Sequence, residues 1–268
     1  MNPALMSLVL FAALCFFLDT MAGRWWLLAA AESEQRGDRP AERLRRLFVI
    51  GFGQQRLLYE RGAGWMHVGI FFGFLVVSLR TITLIGRGFS PDFNLPGFDG
   101  VVGGFYAGLK DIFATLVILA VLVGLWRRLI VRPSRLHLNL EGVLILLWIA
   151  LLMMTDLIGD AALFALDPGH AEAGWAVVSS ALSGVFAGID AGTVMLWWKV
   201  MFWAHVVLVL AFLNFLPFGK HFHVITALPS VFTMKLTAPA VIGRMEFEGK
   251  ESFGVGKVEE FSWRRLLD

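Results

Sequence analysis

Five long apolar stretches constrain the fold of this chain more than any other feature of its sequence. They cover roughly residues 4–30, 65–85, 105–126, 140–165 and 194–218. A helix of about 20 apolar residues is long enough to cross the hydrocarbon core of a bilayer. The chain is also 57% hydrophobic and only 16% charged, with a mean hydropathy of +0.71, which is not the composition of a soluble domain. The sequence therefore predicts an all-α, polytopic membrane bundle of five transmembrane helices.

Basic residues are distributed unevenly between these stretches, and their distribution predicts an orientation. Lys and Arg are frequent in residues 24–61, 127–135 and after 218, whereas residues 88–104 and 166–190 contain none. Loops rich in Lys and Arg stay on the cytoplasmic side. We therefore expect the N-terminus outside and the C-terminus in the cytoplasm, in the inner (cytoplasmic) membrane. The net charge of +2 gives no indication of nucleic-acid binding.

The chain divides in sequence into a membrane domain, residues 1–223, and a less apolar cytoplasmic extension, residues 224–268. The first cytoplasmic segment reads "DRPAERLRRLFVIGFGQQRLL", with Asp38 as the predicted N-cap of a helix and Pro40 in its first turn. This segment is either an amphipathic helix on the membrane surface or a loop whose arginines only keep it on the cytoplasmic side.

Three of the six histidines lie in one apolar segment, "AHVVLVLAFLNFLPFGKHFHV", residues 204–224. The spacing between His205 and His223 is eighteen (223 minus 205), which is about five helical turns and about 27 Å along a continuous helix. The pattern thus predicts that these two share one face and that His221 points away from it. Pro217 weakens this prediction because it can kink the helix.

The predicted depths of His67 and His223 favour a bound haem. His67 lies at the cytoplasmic start of the second span, and His223 at the cytoplasmic end of the fifth. Two imidazoles at one depth on neighbouring helices can ligate a planar macrocycle from both faces. Hydrogen-bonded structural histidines are the alternative. The single cysteine, Cys15, argues against a disulfide, a covalently attached haem or an iron–sulfur cluster within this chain.

Several charged residues within the predicted spans also need partners, because a charge in lipid is costly. Arg80 and Arg24 are candidate contacts for haem propionates, with snorkelling as the alternative for Arg80. Five further charges either snorkel, form structural pairs or line a quinone or proton site: Lys110, Asp111, Asp156, Asp160 and Lys199. A transporter is disfavoured because the sequence shows no evident paired charges near the middle of the spans.

Two motifs carry a resemblance to known families. The five-span pattern with "MHVGIFFGF" and "AHVVL…FLPFGKHFHV" resembles the gamma subunit of respiratory nitrate reductase, a membrane cytochrome b. The segments "GFGQQRLL…GWMHVGIFFGF" and "MEFEGKESFGVGKVEEFSWRRLLD" look closer to the N-terminal membrane domain of heterodisulfide-reductase-like iron–sulfur oxidoreductases. That group includes electron-transfer-flavoprotein:menaquinone oxidoreductases, and the resemblance covers nearly the whole chain.

The resemblance implies specific cofactors and ligands. The axial ligands of one haem b would be His67 and His223, and a distal site would use His205. The expected partner of His205 is replaced by Val77, which cannot bind iron, so we expect one haem and leave a second open. The cysteine-rich cluster motifs of the group would belong to a segment after Asp268 or to a separate subunit.

The resulting hypothesis is electron transfer between a cytoplasmic donor and a quinone dissolved in the bilayer. The resemblance implies an iron–sulfur protein or an electron-transfer flavoprotein as the donor, and menaquinone or another quinone as the acceptor. Two neutral imidazoles as axial ligands suit electron transfer rather than oxygen chemistry. The alternative is a non-catalytic membrane anchor subunit whose histidines are structural.

Overall fold

The computed structural model describes residues 2–134, 139–237 and 256–267. Within these ranges every regular element is a helix, and the chain makes one isolated parallel bridge, between Glu32 and Ser262. The α-helices are α1 (Pro3–Ala30), α2 (Pro40–Arg46), α3 (Arg61–Phe89), α4 (Gly100–Trp126), α5 (Leu140–Leu166), α6 (Val177–Ser183), α7 (Ala191–Phe215) and α8 (His223–Thr233). The predicted all-α fold is confirmed for the described residues.

Five of these helices are long and apolar enough to cross a membrane. With short extensions they cover Pro3–Ala30, Gly62–Phe89, Gly100–Val131, Leu140–Leu166 and Ala191–Phe218. Each of the five predicted stretches lies inside one of them, so the prediction of a five-helix, multi-pass protein is confirmed. Large apolar side chains such as Leu8 and Phe11, 65% and 69% exposed, face outward, as lipid-facing residues do. The orientation of the termini stays a prediction.

The chain forms two compact units. The first unit contains Met1–Leu14 and Leu57–Asn214, and the second contains Cys15–Arg56 and Phe215–Asp268. The dividing points fall within α1 and near the end of α7. The predicted boundary after residue 223 stays a prediction.

The first unit is held together by close helix packing. Val77 of α3, Val117 of α4 and Leu152 of α5 belong to one apolar cluster, against which residues of α7 pack. Gly73 faces Val117 so closely that any Cβ there would overlap the valine side chain. Small residues of this kind let membrane helices approach each other. This packing fixes the faces of α3, α4, α5 and α7 that carry the polar residues described below.

The second unit is organised around arginine side chains that bind backbone carbonyls. Arg43 of α2 is 1% exposed and donates to the carbonyl oxygens of Phe232 and Met234, both at 2.9 Å. Arg46 donates to those of Lys235 and Leu236. Since the last carbonyls of a helix have no partners within the helix, these contacts satisfy the end of α8 and the turn that follows it.

The C-terminal residues 256–267 also pack within this unit. Arg264 donates to the carbonyl oxygens of Thr233 and Ser230, and Trp263 donates through its backbone to Glu32 and through its indole to Glu34. The described part of the predicted cytoplasmic extension is thus attached to the second unit rather than free of it.

The start of α2 differs from the prediction. The N-cap residue is Arg39, in the left-handed conformation with φ 49°, and it makes no side-chain cap. Asp38 accepts hydrogen bonds from Arg43 and Arg39 instead, and that from Arg43 lowers the pKa of the Asp38 carboxyl below its ordinary value. Pro40 does occupy the first turn, as predicted. The prediction of Asp38 as the N-cap was wrong, because its carboxylate accepts hydrogen bonds from arginine side chains instead of capping the helix.

The helix that carries His205 ends before His223. After α7 the chain continues as a 3-10 turn, Leu216–Phe218, and then turns extended at Gly219, with φ −133° and ψ −166°. A second 3-10 turn, Lys220–Phe222, leads into α8, whose first residue is His223. The predicted shared face of His205 and His223 is therefore wrong, since it required one continuous helix.

Candidate functional site

Four buried charged side chains of the first unit form a closed ring. Arg80 of α3 donates from Nε to Asp156 Oδ1 at 3.1 Å and from Nη2 to Asp160 Oδ1 at 2.5 Å. Lys110 of α4 donates from Nζ to Asp156 Oδ2 at 2.8 Å and to Asp160 Oδ2 at 2.5 Å. Each carboxylate thus binds the arginine with one oxygen and the lysine with the other. We call these four residues the ion ring.

The ion ring follows from helix geometry. Asp156 and Asp160 are four residues apart in α5, so both project from the same face of that helix. The side chains of the ring are at most 7% exposed. Two positive and two negative charges leave the ring formally neutral, which is the condition under which buried charges are tolerated. The predicted structural pairing of Lys110, Asp156 and Asp160 is found in the structure.

Arg80 has partners that the sequence did not predict. Its guanidinium binds Asp156 and Asp160 rather than reaching outward, and its role as a contact for a haem propionate stays a prediction. The spacing of the two aspartates on one face of an apolar helix was the signal that could have indicated this contact.

Asp111, next to Lys110, has a different role. Its carboxylate accepts hydrogen bonds from the backbone N–H groups of Val178 at 2.6 Å and Ser179 at 3.0 Å, and from the Ser179 hydroxyl at 2.6 Å. These N–H groups belong to the first turn of α6, where donors lack partners within the helix. Asp111 therefore caps α6 from α4 and is structural.

His205 lies beside the ion ring on α7 and is 2% exposed. Its Nδ1 atom is 3.1 Å from the carbonyl oxygen of Leu152 and 3.0 Å from the hydroxyl of Thr155. A carbonyl oxygen only accepts hydrogen bonds, so the proton of the neutral ring resides on Nδ1. The Nε2 atom is then an acceptor, and it has no hydrogen-bond partner among the described residues.

A small cavity connects His205 with the ring. The volume of this cavity is about 20 Å³. A volume of this size holds a water molecule or one polar group of a ligand. The cavity is lined by Arg80, Leu84, Thr155, Asp156, Gly159, Asp160, Trp198, Met201, Phe202 and His205. We call it the His205 cavity; the residues that line it include an imidazole, two aspartates and several apolar side chains.

A second polar cavity, of about 10 Å³, touches the ring through Arg80 and Lys110. Its other walls come from α3, α4 and the connecting loops: Thr83, Asn94, Phe98, Gly103, Tyr106, Ala107 and Glu172. Glu172 also pairs with Arg87, at 3.6 Å. We call this the loop cavity. The ring therefore borders two separate polar spaces.

The predicted haem ligands occur in different units. His67 is half-buried in α3 of the first unit, and His223 is an exposed residue at the start of α8 in the second unit. The Nδ1 atom of His223 lies 2.9 Å from the carbonyl oxygen of Lys220, so this nitrogen carries the proton. The ring of His221 lies close by, with its centroid 6.1 Å from that of His223, and so does not point away from it. The pairing of His67 with His223 stays a prediction.

Two other sequence-predicted residues have local partners. Arg24 donates from Nη2 to the carbonyl oxygen of Pro217 at 2.8 Å and lies over the ring of Phe222. Val77 is 5% exposed in the apolar core of the first unit. His137 lies outside the described residues. In residues 2–134, 139–237 and 256–267 no group of three or more His, Cys, Asp or Glu side chains is placed to hold a metal ion.

Comparison with known proteins points to iron–sulfur and quinone-linked oxidoreductases. The chain is 29% identical over 269 residues to the "Probable iron-sulfur-binding oxidoreductase FadF" of Bacillus subtilis (strain 168), covering 100% of this chain and 38% of that protein. It is 29% identical over 257 residues to the "EtfAB:quinone oxidoreductase" of Syntrophomonas wolfei, covering 91% of this chain and 35% of that protein. The chain thus spans little more than a third of the length of these relatives.

No family model matches the chain. No solved structure matches it either. The two relatives support the resemblance to heterodisulfide-reductase-like iron–sulfur oxidoreductases, and they do not extend to the gamma subunit of nitrate reductase.

Proposed function

We propose that this chain is the membrane part of a quinone-linked oxidoreductase, passing electrons between a cytoplasmic iron–sulfur or flavoprotein donor and the membrane quinone pool. The observation that carries this proposal is the similarity along the chain to two oxidoreductases, one named for iron–sulfur binding and one for quinone. The five apolar helices agree with a site of action in the bilayer. The electron-transfer flavoprotein and menaquinone enter as partners by the same similarity.

The His205 cavity is the place that we propose for one polar oxygen of the quinone head group. Quinones are apolar molecules with polar oxygens, and the cavity offers apolar walls at Leu84 and Phe202 beside the Nε2 acceptor of His205. A hydroquinone hydroxyl can donate a hydrogen bond to that nitrogen. The cavity accepts one polar group of this size, with the rest of the head group against the neighbouring apolar side chains.

We also propose one b-type haem, with His67 and His223 as its axial ligands. His223 donates Nδ1–H to a backbone carbonyl, so Nε2 is the nitrogen that would bind iron in the proposed haem. This arrangement orients most metal-ligating histidines. When bound, the haem supplies a one-electron carrier. His67 and His223 would hold it, with Arg24 as a propionate contact, and this assignment rests on the resemblance and on the surroundings of each residue.

His205 fits a second haem less well. The position that would supply the second ligand is Val77, which is packed in the apolar core. We therefore propose one haem per chain.

A visible spectrum of the purified chain tests the proposed function. We expect a haem b spectrum with about one haem per chain, reduced by dithionite and reoxidised by a menaquinone analogue. His67→Ala and His223→Ala should lose the haem, whereas His221→Ala should retain it. A colourless protein that folds normally would support the alternative, a membrane anchor with structural histidines.

The proposed orientation places the N-terminus outside and the C-terminus in the cytoplasm of the inner membrane. It rests on the distribution of Lys and Arg. Reporter fusions after Gly62 and after Lys220 should both report a cytoplasmic location. A periplasmic signal at either position would contradict the orientation and the common depth of His67 and His223.

A further inference from the structure

The ion ring connects the His205 cavity with the loop cavity, and the proposed electron transfer uses neither the ring nor the loop cavity. Asp156 and Asp160 line the His205 cavity, while Lys110 lines the loop cavity. Lys110 Nζ is hydrogen-bonded to both carboxylates. A series of polar side chains therefore runs from His205, across one cavity and the ring, to the other cavity.

We propose that His205, the carboxylates of Asp156 and Asp160, and Lys110 form a proton path between the quinone contact and the loop cavity. This inference rests on the proposed function, since it takes the quinone as the source or acceptor of the proton. Oxidation of a hydroquinone releases two protons and two electrons, and a proton formed inside an apolar bundle needs polar groups to leave it.

The steps conserve protons and electrons. As a hydroquinone hydroxyl is oxidised, its O–H bond breaks, its electron passes to an acceptor of the haem or iron–sulfur class, and a new N–H bond forms at His205 Nε2. The imidazolium then gives this proton to a carboxylate of Asp156 or Asp160 and becomes neutral again. Lys110 releases one proton to water in the loop cavity and takes up the proton of that carboxyl. Two passes balance one hydroquinone, and reduction of a quinone uses the same groups in reverse.

The chemistry of the two cations assigns them different tasks. A guanidinium stays protonated in proteins, so Arg80 provides a fixed positive charge between the aspartates. An ammonium exchanges protons more readily, and it is Lys110 that contacts both carboxylates and the loop cavity. The His205 cavity and the loop cavity, of about 20 and about 10 Å³, each have room for about one water molecule.

The charges that face this path come from three helices and one loop. α3 contributes Arg80 and Arg87, α4 contributes Lys110, and α5 contributes the two aspartates. The loop after α5 contributes Glu172, at the far side of the loop cavity. The first fourteen residues of the chain, which pack in this unit, contain no charged side chain.

Proton exchange on binding of a quinone analogue tests the path without turnover. The full protein, in lipid nanodiscs and weak buffer, would be mixed with the fluorescent analogue 2-heptyl-4-hydroxyquinoline N-oxide and a pH indicator dye. We expect wild-type protein to exchange about one proton with bulk water per analogue bound. His205→Gln should bind the analogue without that exchange, since an amide takes up no proton.

The double variant Lys110→Met with Asp160→Asn breaks the path while keeping the ring neutral. We expect its proton exchange, measured at a saturating concentration of the analogue, to be at least about tenfold slower than that of wild type. Tyr106→Phe is the matched control, because it removes a hydroxyl from the loop cavity that donates to the Val76 carbonyl and not to the ring. Its exchange should equal that of wild type.

The outcomes distinguish failure of the proton path from failure of the quinone contact. Binding without proton exchange in wild type, or unchanged exchange in the double variant, would overturn the path and leave the quinone contact standing. Absence of analogue binding in wild type would overturn the quinone contact and the path together.

Discussion

The two units of the chain satisfy buried cations in different ways. In the first unit, Arg80 and Lys110 are neutralised by two aspartates within the apolar bundle. In the second unit, the almost fully buried Arg43 binds the backbone carbonyls of Phe232 and Met234 and the carboxylate of the exposed Asp38. One arrangement is a closed set of charges beside a histidine, and the other completes the end of a helix.

The difference shows that burial of a charge does not by itself indicate function. The Arg43 guanidinium donates to carbonyl oxygens and to a carboxylate of the protein itself. These acceptors need a donor, so the role of Arg43 is structural. The ion ring is also internally paired, but it borders a cavity lined by His205, whose buried Nε2 has no hydrogen-bond partner among the described residues. It is this acceptor, rather than the charges, that points to a ligand.

The largest loss of stability that we expect follows from removing one carboxylate of the ion ring. Asp160→Asn leaves Arg80 and Lys110 with a single carboxylate, and removing one partner of a buried ion pair costs about 3–5 kcal/mol of the free energy of unfolding. The measurement is thermal unfolding of the purified protein in detergent.

The matched variant is Lys110→Met combined with Asp160→Asn, which removes one charge of each sign. Because a neutral replacement of a buried pair is often tolerated, we expect it to be more stable than the single variant by about 2 kcal/mol or more. If the single and double variants unfold alike, the ring is not the coupled unit described here.

A smaller, local effect should follow from Arg43→Ala in the second unit. The change removes donors from buried carbonyls at the end of α8, at a cost of about 2–3 kcal/mol. Limited proteolysis should then cleave more readily near residues 230–237. Arg45→Ala is the control, since Arg45 is an exposed neighbour on the same helix. Equal protease sensitivity of the two variants would show that Arg43 does not hold this end of α8.

The sequence predicts the long elements well, because bilayer thickness imposes a length that composition reveals. All five spans lie where the apolar stretches are. The break at Gly219 was not predicted, since a glycine and a nearby proline indicate a bend without giving its size. The prediction that His205 and His223 share one helix face was wrong for that reason.

The candidate site is predictable only in part for a different reason. The spacing of Asp156 and Asp160 indicates a common face, yet it does not say which cations of the other helices meet them. Arg80 was accordingly matched to a propionate instead of to the aspartates. The tautomer of His205 depends on the Leu152 carbonyl, a backbone contact that a sequence pattern does not encode.

The smallest expected effect concerns Asp38 and pH. Its carboxyl has a lowered pKa in the folded protein, because it accepts a hydrogen bond from Arg43. A lowered folded-state pKa stabilises the protein above the ordinary Asp pKa, and this contribution is lost as the pH falls through the folded-state value. Wild type should therefore be slightly more stable than Asp38→Asn at neutral pH. The difference should shrink as the pH falls below about 4 and vanish only below the lowered pKa of the folded protein. A difference that persists in acid would exclude the ionised carboxylate as its source.

The affinity of the His205 cavity for a quinone analogue tests the central contrast between the two units most directly. The analogue 2-heptyl-4-hydroxyquinoline N-oxide would be titrated against wild type, His205→Phe and Arg43→Ala in nanodiscs, with folding checked by circular dichroism. The loss of one hydrogen-bond acceptor should weaken binding to His205→Phe by about tenfold, while Arg43→Ala stays within about twofold of wild type. Equal affinity of His205→Phe and wild type would contradict the account, since the analogue would then bind without the nitrogen that distinguishes the first unit from the second.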